Sequence, residues 1–173
     1  IGAILIGIQG LSMDAFAVEA LPARISTMTQ CSRAELKAFR WIHVGYAALY
    51  LTNCRNASDI FSASPKRLRF LYQKSIPARA FRESSEEYLK INLGSRFDQW
   101  RQSFRQFNSH YRDVGEGDYY ELVYDENGLK LLLNDQLLAT LSDPQQASAY
   151  FTIWFGEEPF SEDLKKALLK PAL

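Results

Sequence analysis

The chain has 173 residues, enough for one domain with one substantial core, and 47% of them are apolar. Twenty Lys and Arg balance twenty Asp and Glu, so the basic surplus of a nucleic-acid binder is missing, and no basic stripe is evident. The two histidines, His43 and His110, lie far apart without ligand-like spacing, which leaves a metal site without a local motif.

Ile1-Gly2-Ala3-Ile4-Leu5-Ile6-Gly7-Ile8 is an apolar run too short to span a bilayer. Ala15-Phe16-Ala17 follows with the small-x-small form of a signal-peptidase site. Residues 1–17 are therefore expected to be a signal peptide, the alternative being an N-terminal strand. The domain is expected over residues 18–173, exported to a periplasm or to the outside, with no membrane span in the mature chain.

Residues 18–29 read as a short first strand region. Residues 36–51 form the longest β-like segment, in which Leu36, Ala38, Ile42 and Val44 alternate with Lys37, Phe39, Trp41 and His43. Gly45 marks a bulge or bend in it. Residues 53–65 are polar and turn-rich, a loop. Leu68, Phe70 and Tyr72 give the inward face of another strand, and Lys66, Arg67, Arg69 and Arg79, in or beside it, read as a solvated face. Pro77 opens a helix that Gly94 closes, with Phe81, Tyr88 and Leu89 inward. Phe97, Trp100, Phe104, Phe107 and Tyr111 recur at spacings of three and four, a helical stripe of the kind that fills a core.

Residues 117–169 carry the strongest local signals. Tyr120, Leu122 and Tyr124 alternate with Glu121, Val123 and Asp125 as in a half-buried strand. Asn127-Gly128 predicts a type I′ hairpin turn, residues 129–133 a return strand, Asn134-Asp135 a second turn and residues 136–141 a third strand. Asp143-Pro144-Gln145-Gln146 supplies an N-cap, a proline at the first helical position and a glutamine at N3. Ala147, Tyr150, Phe151 and Trp154 then share one helical face. Cys31 and Cys54 are candidate disulfide partners in an exported domain. They bracket the long β segment, so its flanks must fold back, or Gly45 must bend it, to bring the Cα atoms within about 7 Å.

Strands, two helices, three strands and two helices make an α+β domain, an antiparallel sheet with a layer of helices packed on one face. No Ser-His-Asp or Cys-His arrangement can be built from local motifs, and no P-loop or glycine-rich strand-to-helix turn is present. No cofactor is called for. The pairs Glu86-Glu87 and Glu157-Glu158 read as solvent-facing.

The run Tyr150-Phe151-Thr152-Ile153-Trp154-Phe155-Gly156, then Pro159, then Leu164-Lys165-Lys166-Ala167-Leu168-Leu169, resembles the C-terminal signature of bacterial chalcone isomerase-like proteins. Leu133-Asn134 sits where that family's meander turns. The resemblance covers roughly residues 30–170 and implies the open-faced β-sandwich and helical layer of the chalcone isomerase fold. Plant chalcone isomerases hold the substrate oxyanion with an arginine, and a threonine and a tyrosine complete the polar network. Their Gly-x-Gly-x-Arg run falls on Arg33-Ala34-Glu35-Leu36-Lys37, the threonine at Gly45 and the tyrosine near Phe81. Losing preorganised donors to an oxyanion costs about 3 kcal/mol each. The resemblance therefore implies a non-catalytic binder of a small apolar or fatty-acid-like ligand, as fatty-acid-binding relatives of the fold are. The alternatives are an isomerase (intramolecular lyase) acting on an unsaturated substrate, and an exported protein acting through a protein partner. The expected site is a cleft between the sheet and the 77–94 helix. Lys37 is its anchoring charge, and Trp41, Tyr46, Phe70, Phe81 and Tyr88 are its walls.

Overall fold

The computed structural model describes residues 19–170, so the expected signal peptide lies outside the described residues. Strands β1 (Arg24–Ile25), β2 (Met28–Ala38), β3 (Ile42–Leu51) and β4 (Lys66–Tyr72) are followed by helices α1 (Ala78–Leu93) and α2 (Ser95–Asn108). Strands β5 (Tyr119–Asp125), β6 (Gly128–Leu133) and β7 (Gln136–Leu141) come next, then helices α3 (Pro144–Tyr150), α4 (Thr152–Phe155) and α5 (Glu162–Leu169). The seven strands form one antiparallel sheet in the order of the chain. The α1–α2 pair is an excursion between the partners β4 and β5, which meet again at Leu68↔Leu122. A two-way backbone bridge between Ile76 and Val114, 3.0 Å each way, pinches the base of that excursion shut.

Strand alternation decides what faces the helices. Leu68, Phe70 and Tyr72 of β4 and Tyr120, Leu122 and Tyr124 of β5 enter the main core with Phe97, Phe104 and Phe107 of α2. Asp143 caps α3 as expected, accepting from the Gln146 amide at 2.9 Å. Ser32 Oγ donates to the Leu168 carbonyl at 2.5 Å and ties α5 to β2.

The other face of the sheet is not simply solvated. Leu21, Met28, Ala48, Tyr50 and Leu71 make a second, smaller apolar cluster there. Glu121 is fully buried on that side, accepting from Arg67 Nη1 at 2.6 Å and Arg69 Nε at 3.0 Å. Arg69 Nη1 also donates to the Ala20 carbonyl at 2.7 Å. The reading of Arg67 and Arg69 as a solvated face is corrected. They belong to the central strand β4, covered on both sides, where a charge persists only with a partner.

Residues 36–51 are two strands rather than one. The chain reverses at residues 39–41, where Phe39 and Arg40 take φ of 50° and 70°. Antiparallel pairing at Thr29↔Leu51 then brings Cys31 beside Cys54, and the two form a disulfide with Cα atoms 5.3 Å apart. Gly45 is not the hinge. A Cβ there would meet the Leu71 carbonyl oxygen at 1.9 Å, so glycine permits the close approach of β3 to β4. The type I′ geometry falls at Asn134 and Asp135 (φ 48° and 65°), whereas the β5–β6 turn centres on Glu126-Asn127 and leaves Gly128 at φ 101°.

Candidate ligand-binding site

Helices α1 to α4 meet the inner face of the sheet over a layer of rings. Phe81, near the start of α1, stacks on Tyr111 with centroids 5.4 Å apart and meets Tyr120 and Tyr72 edge-on at 5.1 and 5.5 Å. Phe70 lies against Trp154 at 5.3 Å, and Tyr88 against Phe160 at 5.8 Å. Two polar features interrupt this layer.

The first is a knot of neutral groups drawn from separate elements. The Tyr150 hydroxyl of α3 donates to Asn108 Oδ1 of α2 at 2.7 Å and lies 3.0 Å from the Tyr111 hydroxyl and 3.3 Å from Ser85 Oγ of α1. All four residues are buried. Burial pushes the Tyr111 phenol up to about 12, and those of Tyr150 and Tyr72 well above the ordinary 10.0. At neutral pH the knot offers hydrogen bonds and no charge, so it can hold a polar atom but has no poised base.

The second is Lys66, the first residue of β4. It shares the inward register of Leu68, Phe70 and Tyr72 and is only 2% exposed. Its Nζ donates to the Ser62 carbonyl at 2.6 Å and stands 4.2 Å from the Tyr124 ring centre and 5.6 Å from that of Phe151. Among the described residues no carboxylate is within salt-bridge reach of it. Burial pulls its pKa down from 10.5 to about 8, against the more distant attraction of Asp59. An ammonium carries three donors, and here its hydrogen-bond acceptor is one carbonyl, with two ring faces as its other neighbours. Residues 52–65, which supply Ser62, are mostly exposed and are moored by the Cys54 disulfide and by Ser148 Oγ donating to the Phe61 carbonyl at 3.2 Å.

The structure brings together only part of the expected cleft. Phe70, Phe81 and Tyr88 belong to the helix-facing side. Lys37, Trp41 and Tyr46 do not. Leu36 enters the main core, so Lys37 alternates to the opposite face, where it pairs with Glu35 at 3.0 Å. Tyr46 packs with the outer cluster beneath the Arg33 guanidinium, 4.6 Å from its ring centre. Trp41 sits in the β2–β3 turn, 78% exposed. On the helix side the buried cation is Lys66, not Lys37. A separate groove of about 320 Å³ runs between α2 and β7, lined in part by Phe107, His110, Leu141 and Gln146. Among the described residues no three His, Cys, Asp or Glu side chains gather as a metal site.

A seven-stranded antiparallel meander with a helical excursion packed on one face is the architecture of a chalcone isomerase fold. The chain belongs to the chalcone isomerase-like family, whose sequence pattern matches residues 33–170. Its fold is similar to the crystal structure of an Arabidopsis thaliana fatty-acid binding protein, with a TM-score of 0.62 and 16% identity, covering 86% of this chain and 90% of that one. At that identity the likeness is one of fold. No curated protein matches by sequence.

Proposed function

We propose that this domain binds a small apolar acid of the fatty-acid kind reversibly and without turnover, with Lys66 as the anchor for the carboxylate. The observation that carries the reading is the inward ammonium of Lys66, buried among rings with no carboxylate beside it among the described residues. A cation so placed is costly unless paired, and an anionic head group with an apolar tail relieves that cost while its tail takes the place of packed rings. The described structure is the closed state. Phe151 and Tyr124, 6.2 Å apart, fill the space over Lys66, so entry requires residues 52–65 or α3–α4 to move. The fatty-acid binding by the Arabidopsis protein of similar fold supports the choice of ligand. By the resemblance, the isomerase's arginine, threonine and tyrosine fall at Lys37, at Gly45 and near Phe81, and the hydroxyl knot holds no ionised group; both support binding over catalysis.

The test is titration of a long-chain fatty acid and its matching alcohol. Lys66→Met is expected to weaken the acid by about tenfold or more and the alcohol little, as the loss of one charge-assisted hydrogen bond does. Lys37→Ala is expected to leave both unchanged. Affinity for the acid should fall as the pH rises past about 8, where free Lys66 sheds its proton. Equal weakening of acid and alcohol by Lys66→Met would reduce Lys66 to a structural role.

Export is part of the same reading. The apolar run before Ala15-Phe16-Ala17 motivates it, and the Cys31–Cys54 disulfide suits an oxidising compartment. Protein recovered from fractionated cells is expected to begin at or near Val18 and to show no titratable thiol until reduced. A full N-terminus on cytosolic protein with free thiols would refute it.

A further inference from the structure

The β2–β3 hairpin outruns the sheet. The last β3–β4 pair is Gly45↔Tyr72, whereas β2 and β3 go on pairing to Ala38↔Ile42. At about 3.3 Å per residue the turn stands roughly 10–15 Å past that last β4 contact. Its tip is apolar where turns are ordinarily polar. Phe39 and Trp41 are each 78% exposed and Ile42 is 46% exposed. The backbone under them is unfavourable as well, because Phe39 and Arg40 hold the left-handed φ values that Asn-Gly adopts readily and bulky residues resist. Exposed rings on a strained turn have no compensation within the described fold, and such sites are where function concentrates.

We infer that this tip docks on a lipid bilayer bearing anionic head groups. The side-chain chemistry is that of a membrane interface: tryptophan and phenylalanine settle at head-group level, with isoleucine among the acyl chains. The charges around it complement an anionic surface. Arg40 and Lys74 are exposed beside the tip, Lys74 next to the Gln73 that holds His43 at 2.6 Å. The one carboxylate on the hairpin, Glu35, is already paired with Lys37 at 3.0 Å. The shape argues the same way. A narrow projecting loop slips between head groups, but it offers far less than the ~800 Å² per partner that a stable protein interface buries. The inference stands apart from the ligand reading, because it uses neither Lys66 nor the interior.

The full chain is the sample, and the probes are vesicles of phosphatidylcholine with one quarter phosphatidylglycerol, and of phosphatidylcholine alone. The chain is expected to sediment with the mixed vesicles and much less with the neutral ones. Combining Phe39→Asn, Arg40→Gly and Trp41→Ser should cut that binding by about tenfold or more, since binding follows buried apolar area plus charge. The same variant should melt no lower than the parent, because Asn-Gly suits the turn. Trp41→Phe should keep binding but abolish the blue shift in emission that vesicles cause. Equal sedimentation of parent and triple variant would overturn the inference. So would a parent that ignores vesicles and instead forms a Trp41-dependent dimer or protein complex in the ultracentrifuge.

Discussion

Lys66 is the residue on which the reading of this molecule turns, and its titration can be followed without any ligand. In an unfolded chain it titrates near 10.5, and folded, near 8, because burial disfavours the charged form. Between those values the unfolded state holds the proton and the folded state does not. Unfolding then takes up a proton, so stability rises with pH through that window. The buried phenols act in the opposite sense from pH 10.0 upward, where Tyr111 keeps a proton that the unfolded chain loses, its own pKa being pushed up to about 12. The Lys66 contribution is therefore read between about pH 8 and pH 10. Urea unfolding should show Lys66→Met more stable than the parent at neutral pH and flat across that interval. An unchanged slope in the variant would assign the rise to another group. Lys66 was legible in principle. Leu68, Phe70 and Tyr72 set a period of two, and one step further back is Lys66; reading it by its charge instead of its register placed it in water. Ser85, Asn108 and Tyr150 were not legible, since nothing on one helix says which distant hydroxyl will meet it.

At the scale of elements, the sequence reading succeeded where a local rule had a single outcome. Asp143-Pro144 starts a helix because the cap and the fixed proline φ agree, and α1 begins and ends next to Pro77 and Gly94 for similar reasons. It failed at residues 39–41. A reversal built from Phe, Arg and Trp carries none of the Gly, Asn, Asp or Pro that announce one, and two non-glycine residues at positive φ cost on the order of 1–3 kcal/mol each. That miss propagated. A continuous strand kept Cys31 and Cys54 apart, whereas the hairpin sets them side by side. It also misdirected the site, because Lys37 and Tyr46 lie on the hairpin's outward face and Trp41 at its tip. Asn127-Gly128 erred by one residue, which moves the positive φ to Gly128 alone and leaves the paired left-handed turn to Asn134-Asp135.

For the whole molecule, the α+β class and the meander were legible because each strand pairs with the next one in the chain, so element order alone nearly gives the topology. The outer face was not, because its cover comes partly from residues 20–25, which carry little periodic signal. The helical excursion also has a consequence for the newborn chain. Strand β4 is finished with one edge bare, and its partner β5 arrives only after roughly fifty more residues, several seconds at the ribosome's pace. A bare apolar edge is a template for pairing with another chain. Arg67 and Arg69, interleaved with Leu68, Phe70 and Leu71, have the placement of gatekeeper charges for that wait, and Glu121 comes in with β5 to pair with them as the edge closes. Replacing all three charges by Leu should leave equilibrium stability much as it was, yet the variant should aggregate on refolding at concentrations where the parent recovers; equal recovery would deny them that role. Charges that cost desolvation in the finished sheet are placed where they can keep the unfinished one soluble.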